Sequence, residues 1–411
     1  MYRSKSTQDL LPLLPVGMML LFAAGGCGRR TAVEIPPPLT DVPLAAFQRE
    51  LLEAAFDTAT AIPVDPHIKD RSRVQEAVVA ACLQLRQPAR AIGYIEKIDN
   101  WRRGSCYADL AFYCAEHGPA DAAQQFLELA EEATRGDLEE WRIEQIAIKR
   151  ARARAQLKQT QLSAAGDDLG GSAELSPVAE IEGIVSDNGA WEDQIKALDT
   201  HISTGNFDVV RSALAAYGRL FDRFYADSAK RCLTEDRIRA SWGTLPVLVR
   251  IDLLIGMAEA ALRHADEGKA LSLTDDAQAL FKGAQWPNRH RIPLAARLAA
   301  LHFRAGNAEK ARSDADAALA LFETEAATIV NVDRAGVLRP LAAAYQAMGD
   351  TAAARSVYKR AIEEGIANPN SRPRAEDLSA TCCSMALSAV EPDAELWALI
   401  HQIREALGQP W

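Results

Sequence analysis

The chain has 411 residues, 25% of them charged and only 6% aromatic, with a formal net charge of -10. That length exceeds what one compact core usually holds, whereas stacked helical hairpins bury apolar surface only between neighbours and can grow. The acidic balance disfavours a nucleic-acid partner, and the scarcity of β-branched runs outside stretches such as Ile329 and Val330 argues against strands.

In chain order, Arg3 and Lys5 precede an apolar run from Leu10 to Gly26 that Pro12 and Pro15 interrupt. It is too short and broken for a membrane span, so residues 1–26 read as an export signal. Ala24, Gly25, Gly26 and Cys27 resemble a bacterial lipobox, with an ordinary cleaved signal or an uncleaved anchor as the competing readings. The resemblance implies a diacylglycerol on Cys27, and Gly28 in place of an aspartate implies the outer membrane, facing the periplasm. Two or three acyl chains, at about 0.8 kcal/mol per buried methylene, hold a protein essentially permanently. Loss of Arg3, Lys5 and Asp9 with the signal would take the net charge from -10 to -11. Pro36, Pro37 and Pro38 favour an extended chain, so residues 27–44 read as a lipidated tether.

Helical periodicity begins near Ala45, where Phe47, Leu51, Leu52, Ala55 and Phe56 suit a cap over the first hairpin. Hairpins are expected from Pro66 to Thr134, then a long helix from Leu138 to Leu162. Its acidic start (Glu139, Glu140, Glu144) and basic continuation (Lys149, Arg150, Arg152, Arg154) complement the helix dipole. The basic cluster reads as a solvated helix end, because no aromatics interleave it. Gly166 to Gly189, with Gly170, Gly171, Ser172 and Pro177, reads as a flexible linker between repeats at 45–165 and 190–411. Leu396, Trp397, Leu399, Ile400 and Ile403 form a final capping helix. Pro340 either starts its helix or kinks it.

Six stretches follow one pattern. In the sharpest, Leu341, Ala342 and Tyr345 share one helix face, Gly349 and Asp350 break the helix, and Ala354, Tyr358 and Ala361 mark a face of the next. Small residues at Ala342 and Ala354 permit close approach of the two helices, and Gly349 suits a left-handed cap. The same slots recur as Leu298, Ala299, His302, Gly306, Asn307, Ala311 and Ala318, and as Leu110, Ala111, Cys114, Gly118, Ala123 and Ala130. Weaker copies run through Val78, Val79, Cys82 and Ala91; Ala197, Leu198, His201 and Gly205; and Met257, Ala258, Ala261 and Ala270. These residues resemble the tetratricopeptide-repeat (TPR) family, over about two thirds of the chain. The family's Trp and Pro positions are mostly missing and the spacing is uneven. The expected fold is an all-α, TPR-like solenoid of stacked antiparallel hairpins.

Catalytic signatures are absent: there is no Walker loop, His-Glu-x-x-His pair, Gly-x-Ser-x-Gly elbow or Cys-x-x-Cys pair, and no metal or cofactor is expected. Cys82, Cys114, His201, Ala261, His302 and Tyr345 share one slot, which marks it as a packing position. Cys106, Cys232 and the vicinal Cys382 and Cys383 also fall in expected helices and read as structural. His264, Asp266 and Glu267 coincide with a hairpin turn, where polar residues are ordinary. Trp101, Arg102 and Arg103, and Trp286, Asn288, Arg289, His290 and Arg291, begin or precede helices and weigh junction plugs against binding anchors.

The family resemblance implies a concave groove lined by Phe112, Glu116, Glu259, Arg263, Phe303, Arg304, Arg339 and Gln346, suited to an extended peptide or a helix of a protein partner. The leading expectation is therefore a non-catalytic, membrane-anchored scaffold of the bacterial cell envelope. The rival readings are an α/α-framed polysaccharide-active enzyme and a purely structural spacer.

Overall fold

The computed structural model describes residues 39–136, 138–162, 177–186 and 189–411, all within one compact unit. Cys27, the signal and the start of the tether lie outside the described residues. Those described contain eighteen α-helices and no strand: α1 (Ala46–Ala61), α2 (Val64–Gln84), α3 (Pro88–Ile95), α4 (Arg102–His117), α5 (Ala120–Glu132), α6 (Glu140–Leu162), α7 (Pro177–Ser186), α8 (Trp191–Thr204), α9 (Phe207–Arg223), α10 (Ser228–Ser241), α11 (Val247–Arg263), α12 (Glu267–Lys282), α13 (Asn288–Arg304), α14 (Ala308–Glu325), α15 (Asn331–Ala347), α16 (Thr351–Ile366), α17 (Ser371–Leu387) and α18 (Ala394–Glu405). They form the expected all-α solenoid of helical hairpins.

The repeat slots explain the packing. Leu341, Ala342, Tyr345, Ala354, Tyr358 and Ala361 are all buried, as are Leu298, Ala299, His302, Ala311 and Ala318. So are Leu110, Ala111, Cys114, Ala123 and Ala130 in α4 and α5, Val78, Val79, Cys82 and Ala91 in α2 and α3, and Met257, Ala258, Ala261 and Ala270 in α11 and α12. The polar tips of Tyr345 and His302 in the shared slot each reach an aspartate of the preceding hairpin. Tyr345 donates its hydroxyl hydrogen to Asp316 at 2.8 Å, and the fully buried His302 faces Asp275 at 3.1 Å and the Leu298 carbonyl at 3.0 Å.

Turn chemistry repeats too. Gly306 (φ 87°) and Gly349 (φ 80°) are left-handed, as expected, and Arg86, Ala265 and Ala389 hold the same conformation at φ 56°, 58° and 52°. Asp227, Asp266, Asn307, Asp350 and Asp393 then cap α10, α12, α14, α16 and α18 by accepting backbone N–H groups. Three first helices, α11, α15 and α17, begin differently: Arg250, Arg334 and Arg374, each in the first turn or just beyond it, reach back to loop carbonyls at Leu245, Ile329 and Asn368. α15 runs from Asn331 past Pro340, so that proline lies inside the helix rather than at its start.

One copy has a different register. α8 packs on α7 and α9, whereas α9 meets α7, α10 and α11, so α9 stands in the row of first helices. Ala197 is accordingly only half-buried. Gly205 has extended backbone (φ -80°), and a Cβ there would lie 2.4 Å from the His201 carbonyl oxygen, so close approach and not handedness requires glycine.

Two expected boundaries and one expected surface also differ. α7 lies inside the anticipated 166–189 linker, with Ile181 and Ala179 fully buried between α6 and α9. The end of the expected tether is docked: the Val42 N–H donates to the Arg86 carbonyl at 3.0 Å, and Asp41 accepts from the Ala89 N–H at 2.7 Å at the start of α3. The basic run in α6 is not simply solvated, since Lys149 bridges Glu76 (3.1 Å) and Asp109 (2.6 Å) and Arg150 pairs with Glu131.

Finally, α1 is not a terminal cap. It packs along α17, from the other end of the chain, and against α2. Gln48, near its start, donates to the Ala386 carbonyl near the end of α17 at 2.8 Å, while Ala59 and Ile62 cluster with Ala375 near the start of α17. The two helices are therefore antiparallel, and α1 fills the second-helix position beside α17. α18, next in sequence, touches α17 only sparsely and joins α1 through an Arg404–Asp57 pair at 3.0 Å. First helices thus meet in a closed circuit: α2, α4, α6, α7, α9, α11, α13 and α15, then α17, which returns to α2.

Candidate partner-binding surface

The residues expected to line a groove stand on α4, α11, α13 and α15. Of these, α11, α13 and α15 are consecutive neighbours, while α4 sits elsewhere on the circuit beside α2 and α6. Glu116, Arg263 and Arg304 are exposed; Phe112, Glu259, Phe303, Arg339 and Gln346 are partly buried. Several are already engaged with an adjacent helix. Arg152 of α6 lies over the Phe112 ring at 4.2 Å, Arg263 reaches Asp222 of α9 at 2.7 Å, and Arg339 reaches Asp377 of α17 at 3.2 Å.

These contacts belong to a series. Arg219 pairs with Glu182 across α9 and α7 at 3.0 Å, Arg297 with Asp252 across α13 and α11 at 2.8 Å, and Arg73 with Glu376 across α2 and α17 at 3.0 Å. Each joins neighbouring first helices. Sequence reasoning found individual members but not the pairing, because each partner lies a repeat or more away along the chain.

Two places concentrate charge more deeply. Around Glu76, burial works to raise the carboxyl, but Lys149, Ser105 and Arg102 outweigh it and hold it below its ordinary value. Burial prevails at Asp109, whose carboxyl is pushed up despite Lys149. At Asp377, burial lifts the carboxyl from 3.8 to about 6 against the opposing pull of Arg339. The two raised carboxyls stand on α4 and α17, each beside its own cation.

The other sequence candidates resolve into packing. Cys82, Cys106, Cys114, Cys382 and Cys383 are buried free thiols, Cys232 is an exposed one, and burial pushes Cys114 and Cys383 up to about 12. A thiol so raised is a poor nucleophile. Asp266 caps α12 and accepts from the Tyr225 hydroxyl at 2.9 Å, and His264 stacks on Tyr225. Trp286 donates its indole N–H to the Phe281 carbonyl at 2.8 Å, and Trp101 meets Trp141 edge-on at 5.4 Å. Both tryptophans plug junctions.

A cavity of about 270 Å³ lies along the α1 and α18 seam, lined by Asp57, Thr58, His401, Arg404 and Glu405 among others. Among the described residues, no cluster of three or more His, Cys, Asp or Glu side chains is arranged to hold a metal ion, and no helix is long and apolar enough to cross a membrane. No protein-family model matches the chain, and no curated protein matches it as a relative.

Proposed function

We propose that the protein is a non-catalytic, TPR-like scaffold that binds protein partners on the exposed side chains of its first helices, held at a bacterial envelope membrane through lipid on Cys27. One observation carries the binding part: charges facing across α9, α11 and α13 are joined by partly exposed ion pairs, such as Arg263–Asp222 and Arg297–Asp252, with every member at least 32% exposed. Exposed pairs contribute only about 0–1 kcal/mol each, so a partner's charges can replace them at little cost. Phe303 and Arg304, at the end of α13, supply apolar and cationic contact. The raised carboxyls favour this reading over the enzyme, because Asp109 and Asp377 are each bound to a cation on separate helices. The anchor rests on the lipobox resemblance alone.

The test is affinity capture of the full chain from detergent-solubilised envelope, with mass spectrometry of both the copurified proteins and the N-terminal peptide. The expected result is a diacylated Cys27 peptide and a set of partners lost in R304E. An unmodified Cys27 overturns the anchor; identical partners with R304E and with R339E count against the groove.

A further inference from the structure

Val330 is the most exposed large apolar side chain among the described residues, at 57%, and Val332 two positions on is 50% exposed. They bracket the start of α15. The start of α13 is immediately beside them: Asn288 donates to the Thr328 hydroxyl at 3.1 Å, and Arg289 approaches Asp333 at 3.7 Å. Arg289, His290 and Arg291 are all exposed there.

Helix stability does not account for this composition. Val330 occupies an N-cap position where Ser, Thr, Asp or Asn would stabilise the helix, and Pro287 precedes α13 in the same way. Arginines in the first turn of α13 oppose the helix macrodipole. Arg334, by contrast, is spent on the Ile329 carbonyl and on Glu364. Two outward valines and the exposed Arg289 and Arg291, with the His290 Nε2 accepting from the Arg289 Nε–H at 3.2 Å and Asp333 paired with Arg289, therefore share one edge of a chain whose net charge is -10.

We propose that this edge docks an acidic, amphipathic segment of a protein partner. Its apolar residues cover Val330 and Val332, while its carboxylates replace Asp333 at Arg289 and meet Arg291 in charge-assisted hydrogen bonds. The proposal rests on the scaffold reading and adds the partner's chemistry and a second contact area, distinct from the face carrying Arg304.

The full chain is titrated into a fluorescein-labelled peptide of alternating glutamate and leucine, into its lysine–leucine counterpart, and into vesicles of phosphatidylserine and phosphatidylcholine. The acidic peptide is expected to bind, more weakly as salt is raised, and the basic peptide not to. R289E/R291E and V330S/V332S are each expected to weaken binding by about tenfold with unchanged thermal unfolding. Absent binding, binding by both variants unchanged from that of the parent chain, or binding of the vesicles but not the acidic peptide overturns the proposal. In envelope capture, partners lost with R304E but kept with R289E/R291E sink the edge alone, whereas partners unaffected by either sink the scaffold itself.

Discussion

At the level of single residues, the repeat tolerates chemistry that its pattern would exclude. Ala265 and Ala389 hold left-handed backbone, which costs an L-residue roughly 1–2 kcal/mol. A265G and A389G are each expected to stabilise the protein by about 1 kcal/mol after the added freedom of the unfolded chain is set against the relief, read as a higher urea midpoint; a lower midpoint in both would show that these turns are not left-handed. Asp377 gives a pH signature. Its carboxyl is raised from 3.8 to about 6, so within that window the folded chain holds a proton that the unfolded chain releases. Its contribution to stability therefore falls as pH rises through the window. D377N removes that slope, and its stability relative to the parent should rise between about pH 4 and pH 7, by on the order of 3 kcal/mol; a constant difference across that range would contradict the burial of this group. The slot residues were legible in the sequence because small and apolar types recur at fixed offsets. Asp377 was not, since its burial depends on Arg339 and Gly365 from other helices.

At the level of elements, the signals that misled are as physical as those that worked. The α17 copy escaped notice because Ala389 stands where Gly349 does in its turn, with Cys382 and Met385 in the Ala342 and Tyr345 slots; both are fully buried. Gly205 looked like a turn glycine of the same kind, yet it is extended, which shifted a copy from α9 to α8. α7 was hidden by the Gly- and Ser-rich residues before it. The first-turn arginines form a signature of their own that the family pattern does not contain. R250A and R334A are each expected to cost about 1 kcal/mol by leaving loop carbonyls without their charged donor, measured by denaturant unfolding. α1 offers the sharpest test. L51A and F56A, at fully buried positions, should each cost about 3 kcal/mol. Amide exchange should rise in α17 as well as in α1. A terminal cap would loosen α1 alone, so unchanged protection of α17 would refute its role as the second helix there.

For the whole molecule, the closed circuit limits how the first-helix surface is used. An open solenoid presents both of its ends, whereas here α1 occupies the flank of α17 and both share one apolar cluster with α15 and α16. Fold class and most hairpins could be read from local periodicity. Closure could not, because nothing near residue 48 announces residue 386. That separation of 338 positions also dictates an order of events. The side of α1 that faces α17 stays uncovered until α17 has been made, although α2, next in the chain, can cover another side at once. Contacts so distant in sequence form slowly, so in pulse-labelled refolding α1 and α17 should become protected together and after α13 to α16; early protection of α1 by itself would mean that it finds another shelter first. A chain released short of α17 would leave the α17-facing side of α1 unburied, an invitation to chaperones or to proteases.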